Sequence, residues 1–359
     1  MRKILALTLT VLLVLSLFSG CTIKDGRITI NVYNWGQYIS EGDDGCIDVI
    51  AEFEKAYPNI RVNYVTFDSN ETMYTKMANG GITVDVIIPS DYMVDRLIQE
   101  DMLLPLNFDN IPNFEYVDEE WKNPDYDREN LYSVPYSWGV VGIIYNSKYV
   151  DEADVTGWEL LWNEKYADKI LMFDNSRDAF GIAQCLLKYE LNTDDPDELK
   201  ACADKLKEQK PVVQQYIMDQ VFDLMENEEA WIAPYYAGDY LTMADENEAL
   251  KFYLPEHQNF NRFVDAMCIP KCAKEKEAAE LFINFLCDPE IAGGNMDWIC
   301  YATPISAAKE YMDPEVVESD IGILLDRVRE NKLGEGYRAL PAQTTRLMEE
   351  LFMAVRNGL

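Results

Sequence analysis

One histidine, His257, serves the whole 359-residue chain, and basic residues are scarce: 31 lysines and arginines stand against 64 aspartates and glutamates, a formal charge of −33. This shortage excludes nucleic acid as the main partner, because phosphate contacts need clustered lysine and arginine. A cationic ligand is compatible with it, since an acidic protein attracts cations at long range. His257 lies in the polar stretch Pro255–Asn259, the setting of a solvated surface residue, so neither Ser-His nor Cys-His chemistry has a comfortable base. A glycine-rich phosphate loop and a zinc signature are both missing. Paired carboxylates of the glycosidase kind are compatible with so many acids, but no spacing among them singles out a pair. Cysteine is sparse. Beside Cys21 there are seven, Cys46, Cys185, Cys202, Cys268, Cys272, Cys287 and Cys300, an odd number at irregular spacing and a poor disulfide framework. Cys268 and Cys272 have no second pair to complete a metal knuckle and read as small core residues, with no metal expected.

Long apolar runs are also lacking, apart from the first. Arg2 and Lys3 precede Ile4–Phe18, too short for a comfortable membrane span but right for a secretory signal. Leu17-Phe18-Ser19-Gly20-Cys21 then resembles the lipobox of bacterial lipoproteins, with Phe18 where that pattern usually has leucine. Residues 1–20 therefore read as a lipoprotein signal peptide. Cys21 becomes the lipidated mature N-terminus, anchored to the outer face of the cell membrane, and 21–27 a polar tether. Ordinary signal cleavage beside an incidental cysteine is the alternative. Loss of Arg2 and Lys3 takes the charge from −33 to −35.

What is present is a repeated strand-helix pattern. Ile28–Tyr33 alternates as a strand, Ile47–Tyr57 has helical apolar spacing, Ile60–Tyr64 alternates again, a helix opens near Ser69 and Asn70, and Val84–Ile88 is a buried run. Strand, helix, strand, helix, strand implies a parallel sheet, whose ligands gather at the carboxyl ends of the strands. The stretch Leu131–Asn146, broken by Pro135 and Gly139, predicts two extended segments with a flexible joint, crossing from one lobe to another with Tyr136 and Trp138 supporting the cleft floor. Beyond it the pattern predicts helix at Trp158–Trp162, strand at Lys169–Phe173, a helix after Asp178 and helical stretches over about 196–226. Strands follow at Ala230–Tyr235, Lys251–Leu254 and Phe263–Ile269, then a helix at Lys274–Leu286 and a helical tail. About 340 mature residues exceed one ordinary core, so two α/β domains are expected.

Aromatics and acids collect at the predicted strand ends and turns: Trp35, Tyr38, Tyr92, Tyr236, Phe263 and Tyr301, accompanied by Asp178, Asp239 and Asp265. Ring faces attract ammonium groups and cover methylenes, while carboxylates accept charge-assisted hydrogen bonds. A polyamine answers that description. Taken singly, Trp35 and Tyr38 suit a core, Asp178 a first helical turn and Asp239 a helix cap. Asp265 is different, because an acid inside an apolar strand needs a partner if buried.

These residues, in order, resemble the substrate-binding proteins of bacterial spermidine/putrescine ABC transporters. The stretches that carry the resemblance are Tyr33-Asn34-Trp35 with Tyr38, Ser69–Tyr74, Pro89–Tyr92, Tyr132–Tyr136 with Trp138-Gly139, Arg177 with Asp178, Tyr236–Asp239, Phe263–Asp265 and Tyr301–Pro304. The resemblance implies a type II periplasmic-binding-protein-like α/β fold: mostly parallel sheets flanked by helices, with the ligand in the cleft between two lobes. It divides the chain into lobe 1 (28–137 and 266–309) and lobe 2 (138–265 and 310–359). It also implies a monomeric, non-enzymatic receptor, without cofactor, that delivers putrescine or spermidine to an ABC transporter permease. The implied ligand residues are Trp35, Tyr38, Ser90, Tyr92, Asp178, Tyr236, Asp239, Phe263, Asp265 and Tyr301. Asn175 stands where some spermidine binders have aspartate. Tyr236 and Phe263 replace tryptophans, and Arg338 falls near a glutamine. A sugar, an amino-acid-like compound or ferric iron remains as alternative cargo on the same fold.

Overall fold

The computed structural model of the chain describes residues 26–358. The signal segment and Cys21 lie outside the described residues. Nine strands and their helices follow in alternation. The first part holds β1 (Ile28–Trp35), α1 (Val49–Ala56), β2 (Ile60–Phe67), α2 (Asn70–Ala78), β3 (Val86–Ile87) and α3 (Asp91–Gln99). The long β4 (Ser133–Asn146) leads to β5 (Ile170–Phe173), α4 (Ser176–Leu187), α5 (Pro196–Gln209), β6 (Val213–Ile217), α6 (Val221–Glu226), β7 (Ile232–Tyr236) and α7 (Ala237–Glu246). Then come β8 (Leu250–Tyr253), β9 (Arg262–Cys268), α8 (Lys276–Leu286), α9 (Pro289–Ile299), α10 (Pro314–Val317), α11 (Asp320–Glu330) and α12 (Ala342–Asn357). Short polar side chains start the helices. Asp48, Ser69 and Asn175 accept from Ala51, Thr72 and Asp178 N–H groups, satisfying donors that a first turn leaves bare.

The strands run in the order β2-β1-β3-β9-β4-β7-β5-β6, with β8 added beside β4. Pairing is parallel at both outer ends and antiparallel next to β4. Residues 133–140 of β4 pair with β9, whereas 141–145 pair with β7 and 143–146 with β8 on the other edge. One strand thus belongs to both halves of the molecule.

Two expectations change here. The stretch over β4 is a single fourteen-residue strand, buried at every position, with no joint. Pro135 is tolerated because the ladder to β9 slips there, between Pro135 and Ser137, which is where a missing donor does least harm. Gly139 serves close packing: it faces Phe263 in register, and a Cβ would sit 2.7 Å from the Phe263 ring. Second, the region 196–226 is not continuous helix. The segment Val213–Ile217 forms β6, an edge strand whose half-exposed face shows no clean alternation, which is why its pattern was unreadable.

The core is dominated by branched aliphatic and aromatic side chains from the strands, including Ile30, Ile143 and Phe173, with Trp158 added from a 3-10 turn. Cys185, Cys202, Cys268, Cys272, Cys287 and Cys300 form no disulfide among the described residues. Cys268 is buried, as expected, but Cys272 is exposed and so is not a core residue. His257 is exposed.

Candidate functional site

All ten residues singled out from the sequence line one cavity of about 740 Å³. They reach it from loops and strand ends on both sides of β4. Trp35 ends β1 and Tyr38 follows it. Ser90 and Tyr92 begin α3, Asp178 lies in the first turn of α4, Tyr236 and Asp239 flank the β7–α7 junction, Phe263 and Asp265 come from β9, and Tyr301 follows α9. Asp239 sits inside the first turn of α7, where the helix dipole favours an acid; the cap position itself is Tyr236.

Three of the cavity's carboxylates are held by tyrosine hydroxyls. Tyr38 Oη donates to Asp265 Oδ2 at 2.6 Å and also meets Ser137 Oγ. Tyr236 Oη donates to Asp178 Oδ2 at 2.8 Å, joined by Asn175 Nδ2 at 2.9 Å. Tyr92 Oη donates to Glu71 Oε1 at 2.9 Å. Asn70 ties this group together, donating to Ser90 Oγ and Tyr92 Oη. The rings pack edge to face: Tyr38 on Tyr301 at 4.9 Å and Tyr236 on Phe263 at 5.4 Å between centroids. Gly238 allows Tyr301 to lie against α7, since a Cβ there would fall 2.3 Å from its ring.

Asp265 is only 4% exposed, and its second oxygen, Oδ1, has no hydrogen-bond partner among the described residues. Other buried acids of this chain differ. Both oxygens of Asp85 are taken, Oδ2 by the Asn31 N–H and Oδ1 by those of Lys274 and Glu275. Asp127 likewise accepts from Leu131, Tyr132 and Ser133 N–H groups. Those two acids brace loops, whereas Asp265, a residue of the cavity lining, keeps one buried oxygen without a partner.

Among the described residues, five carboxylates line the cavity (Glu71, Asp178, Asp219, Asp239 and Asp265) and no lysine, arginine or histidine does. Burial is the main cause of their shifted titration. It pushes Asp265 up to about 6, against the pull of Tyr38 and Ser90, and Asp239 up to about 7, against Tyr301. Asp178 and Glu71 are raised in the same direction for the same first reason, and Asp219, whose side chain is exposed at the cavity margin, is raised by the partial loss of water around it. An enclosure that makes its own carboxylates costly to ionise lowers that cost when a cation enters.

Residues 48–323 match the family model of the bacterial extracellular solute-binding proteins. The chain belongs to that family. It is 33% identical over 289 residues to the spermidine/putrescine-binding periplasmic protein of Salmonella typhimurium, covering 80% of this chain and 81% of that protein. The protein of the same name from Escherichia coli is 32% identical over 345 residues, 96% of each chain. Among solved structures, the spermidine/putrescine ABC transporter substrate-binding protein PotD of Streptococcus pneumoniae superposes with a TM-score of 0.75 at 34% identity, covering 92% of this chain and 99% of that one.

In this solute-binding protein the sequence reading missed several cavity residues. Glu71 lies inside the Ser69–Tyr74 stretch and was not distinguished from its neighbours. Asp219 follows β6, and with that strand unrecognised its strand-end position was hidden. Tyr337 reaches the cavity over Gly181, where a Cβ would collide with its hydroxyl at 2.0 Å. Arg338, next to it, lines a separate cavity. Tyr136 and Trp138 do not line the ligand cavity either. Tyr136 Oη donates to the Tyr38 carbonyl at 2.6 Å, steadying that loop from behind, and Trp138 stacks near Trp121 in the interior.

Proposed function

We propose that this solute-binding protein captures a polyamine, putrescine or spermidine, and hands it unchanged to the permease of an ABC transporter. The observation that carries the reading is the bare Oδ1 of buried Asp265 in a cavity with five carboxylates, edge-to-face aromatic rings and, among the described residues, no basic side chain. Ammonium groups would satisfy the acids, and the rings of Trp35, Tyr38, Tyr236, Phe263 and Tyr301 would cover the methylenes between them. Ser90 and Tyr92 would add hydroxyls, and Asp178, Asp239 and Asp265 would be the principal acceptors. The names of the relatives from Salmonella and Escherichia coli support the same cargo.

The boundaries 28–137 with 266–309 and 138–265 with 310–359 would describe the two lobes that close on the ligand. Contacts from both would drive closure, because only a difference in interaction between open and closed states shifts that equilibrium. Lipidation at Cys21 would hold the monomer on the outer membrane face, near its permease. A thermal-shift panel of putrescine, spermidine, spermine, maltose and ferric citrate tests the cargo. Stabilisation by the amines alone is the expected result, and stabilisation by maltose or ferric citrate with no response to amines would overturn it.

A further inference from the structure

Beside the acidic cavity lies a second of about 390 Å³, bounded by α3, the start of α4 and the segment leading into α12. In a chain whose acids outnumber its bases twofold, three arginines line it: Arg96, Arg177 and Arg338. Arg177 is 5% exposed. Its Nη1 donates to the Leu191 carbonyl at 3.0 Å and its Nη2 to Asn192 Oδ1 at 2.8 Å and to the Arg338 carbonyl at 3.3 Å. The guanidinium lies over the rings of Tyr337 and Tyr92, 4.2 and 5.9 Å from their centroids. Its Nε–H has no acceptor, and no carboxylate among the described residues forms an ion pair with it. A buried charge ordinarily has a counter-charge, since removing it from water is costly. The exposed Arg338 side chain has no acid partner among the described residues either. Only Arg96 is paired, with Glu100 at 2.9 Å.

We propose that this second cavity binds a small oxyanion such as phosphate, sulfate or a carboxylate, held between Arg177 and Arg338 with Arg96 opposite. Arg177 offers its Nε–H, the planar Arg338 guanidinium suits two oxygens of one anion at once, and Thr345 and Ser176 lie on the same wall. Glu71 is the one acid on that wall. Its carboxyl is taken up by the Tyr92 hydroxyl at 2.9 Å, and burial first, then the fields of Asp178 and Glu349, make it harder to ionise than a free glutamate. The arginines come from both sides of the cleft: Arg96 from α3, which packs on β9, and Arg177 and Arg338 from α4 and the segment before α12. An anion there links the two sides just as the cation does in the neighbouring cavity, so each ligand favours the closed form for the other.

The test is independent of the polyamine reading because its first arm contains no polyamine. The melting temperature of the mature chain is measured in sodium phosphate, sodium sulfate and sodium acetate against sodium chloride at matched ionic strength, for wild type and for Arg338→Gln. Phosphate, sulfate or acetate is expected to stabilise the wild type above chloride, and Arg338→Gln to lose most of that increment. Acetate separates carboxylate recognition from that of tetrahedral anions. In the second arm, spermidine titrations with and without phosphate are expected to show a gain in affinity of about fivefold or more in the wild type. Equal melting in all four salts, or an increment that survives in Arg338→Gln, overturns the proposal. Arg177→Gln is a supplementary variant whose folding is checked by circular dichroism; Arg338, being exposed, keeps the result readable if it unfolds.

Discussion

Two neighbouring cavities share a wall made of Glu71 and Tyr92 and carry opposite charge. Among the described residues, the larger has five acids and no base, and the smaller has three arginines and one acid. Net charge alone accounts for neither, since a protein at −33 has acids everywhere and most are simply solvated. What distinguishes the two is how each charge is held. In the first, tyrosine hydroxyls each use one carboxylate oxygen and, at Asp265, leave the other bare. In the second, carbonyls and ring faces hold a guanidinium without neutralising it. Both are unfinished arrangements, completed by an ion of the missing sign.

The sharpest way to break this comparison is Asp265→Asn. If a bare buried carboxylate matters and overall charge does not, isothermal titration should show polyamine affinity falling by about 2–5 kcal/mol, roughly 30-fold to several thousand-fold. An unchanged affinity would remove Asp265 from the site. A smaller, graded effect is expected with pH. The folded-state values of Asp265 and Asp239 stand at about 6 and about 7 against 3.8 for a free aspartate. The unliganded protein therefore binds more protons folded than unfolded between those limits, and these two groups make it less stable as pH rises from about 4 through 7. Polyamine binding needs the ionised forms, so it runs the other way. Affinity should begin to fall below pH 7 and, below 6, decline by about tenfold per unit for each carboxylate that must release its proton. Melting curves with and without spermidine across pH 5 to 8 check both slopes, and parallel slopes would refute the assignment. The smallest effect is expected at Asp219, which is exposed at the cavity margin. Asp219→Asn should weaken binding by less than about fivefold and act mainly on the salt-dependent association rate, as stopped-flow measurements would show. A loss as large as that of Asp265→Asn would mean that the field of the whole cleft decides affinity.

The sequence made some of this legible for definite reasons. Asp265 could be read because an acid within an apolar strand conflicts with its surroundings, and Trp35 and Ser90 because they follow strands with clear patterns. Asp219 could not be read, because the strand before it lies at a sheet edge and has no alternation. Gly139 was legible as an exception within β4, but its role depends on Phe263, 124 positions later, lying in register with it. Arg338 could be placed near the cleft, yet which of two adjacent cavities it enters is decided by the course of the chain before α12 and by the bond from Ala339 N–H to Asp95 at 2.9 Å.

The pairing of β9 has a consequence for the order in which the molecule is assembled. β3 meets β9 at Ile87 and Cys268, and the first part of β4 meets β9 from Ser133 to Val140, so β9 separates the opening strands from the shared one. A chain growing from its N-terminus can pair β1 with β2 and β3 early. It cannot join them to β4 until residue 268 has been made. The N-terminal half of β4, with its run of buried side chains, must wait through the synthesis of the whole second sheet. Cutting the chain within β4 would therefore release no self-sufficient half. A polypeptide that cannot complete its first sheet early is one that stays threadable until nearly three-quarters of it has emerged.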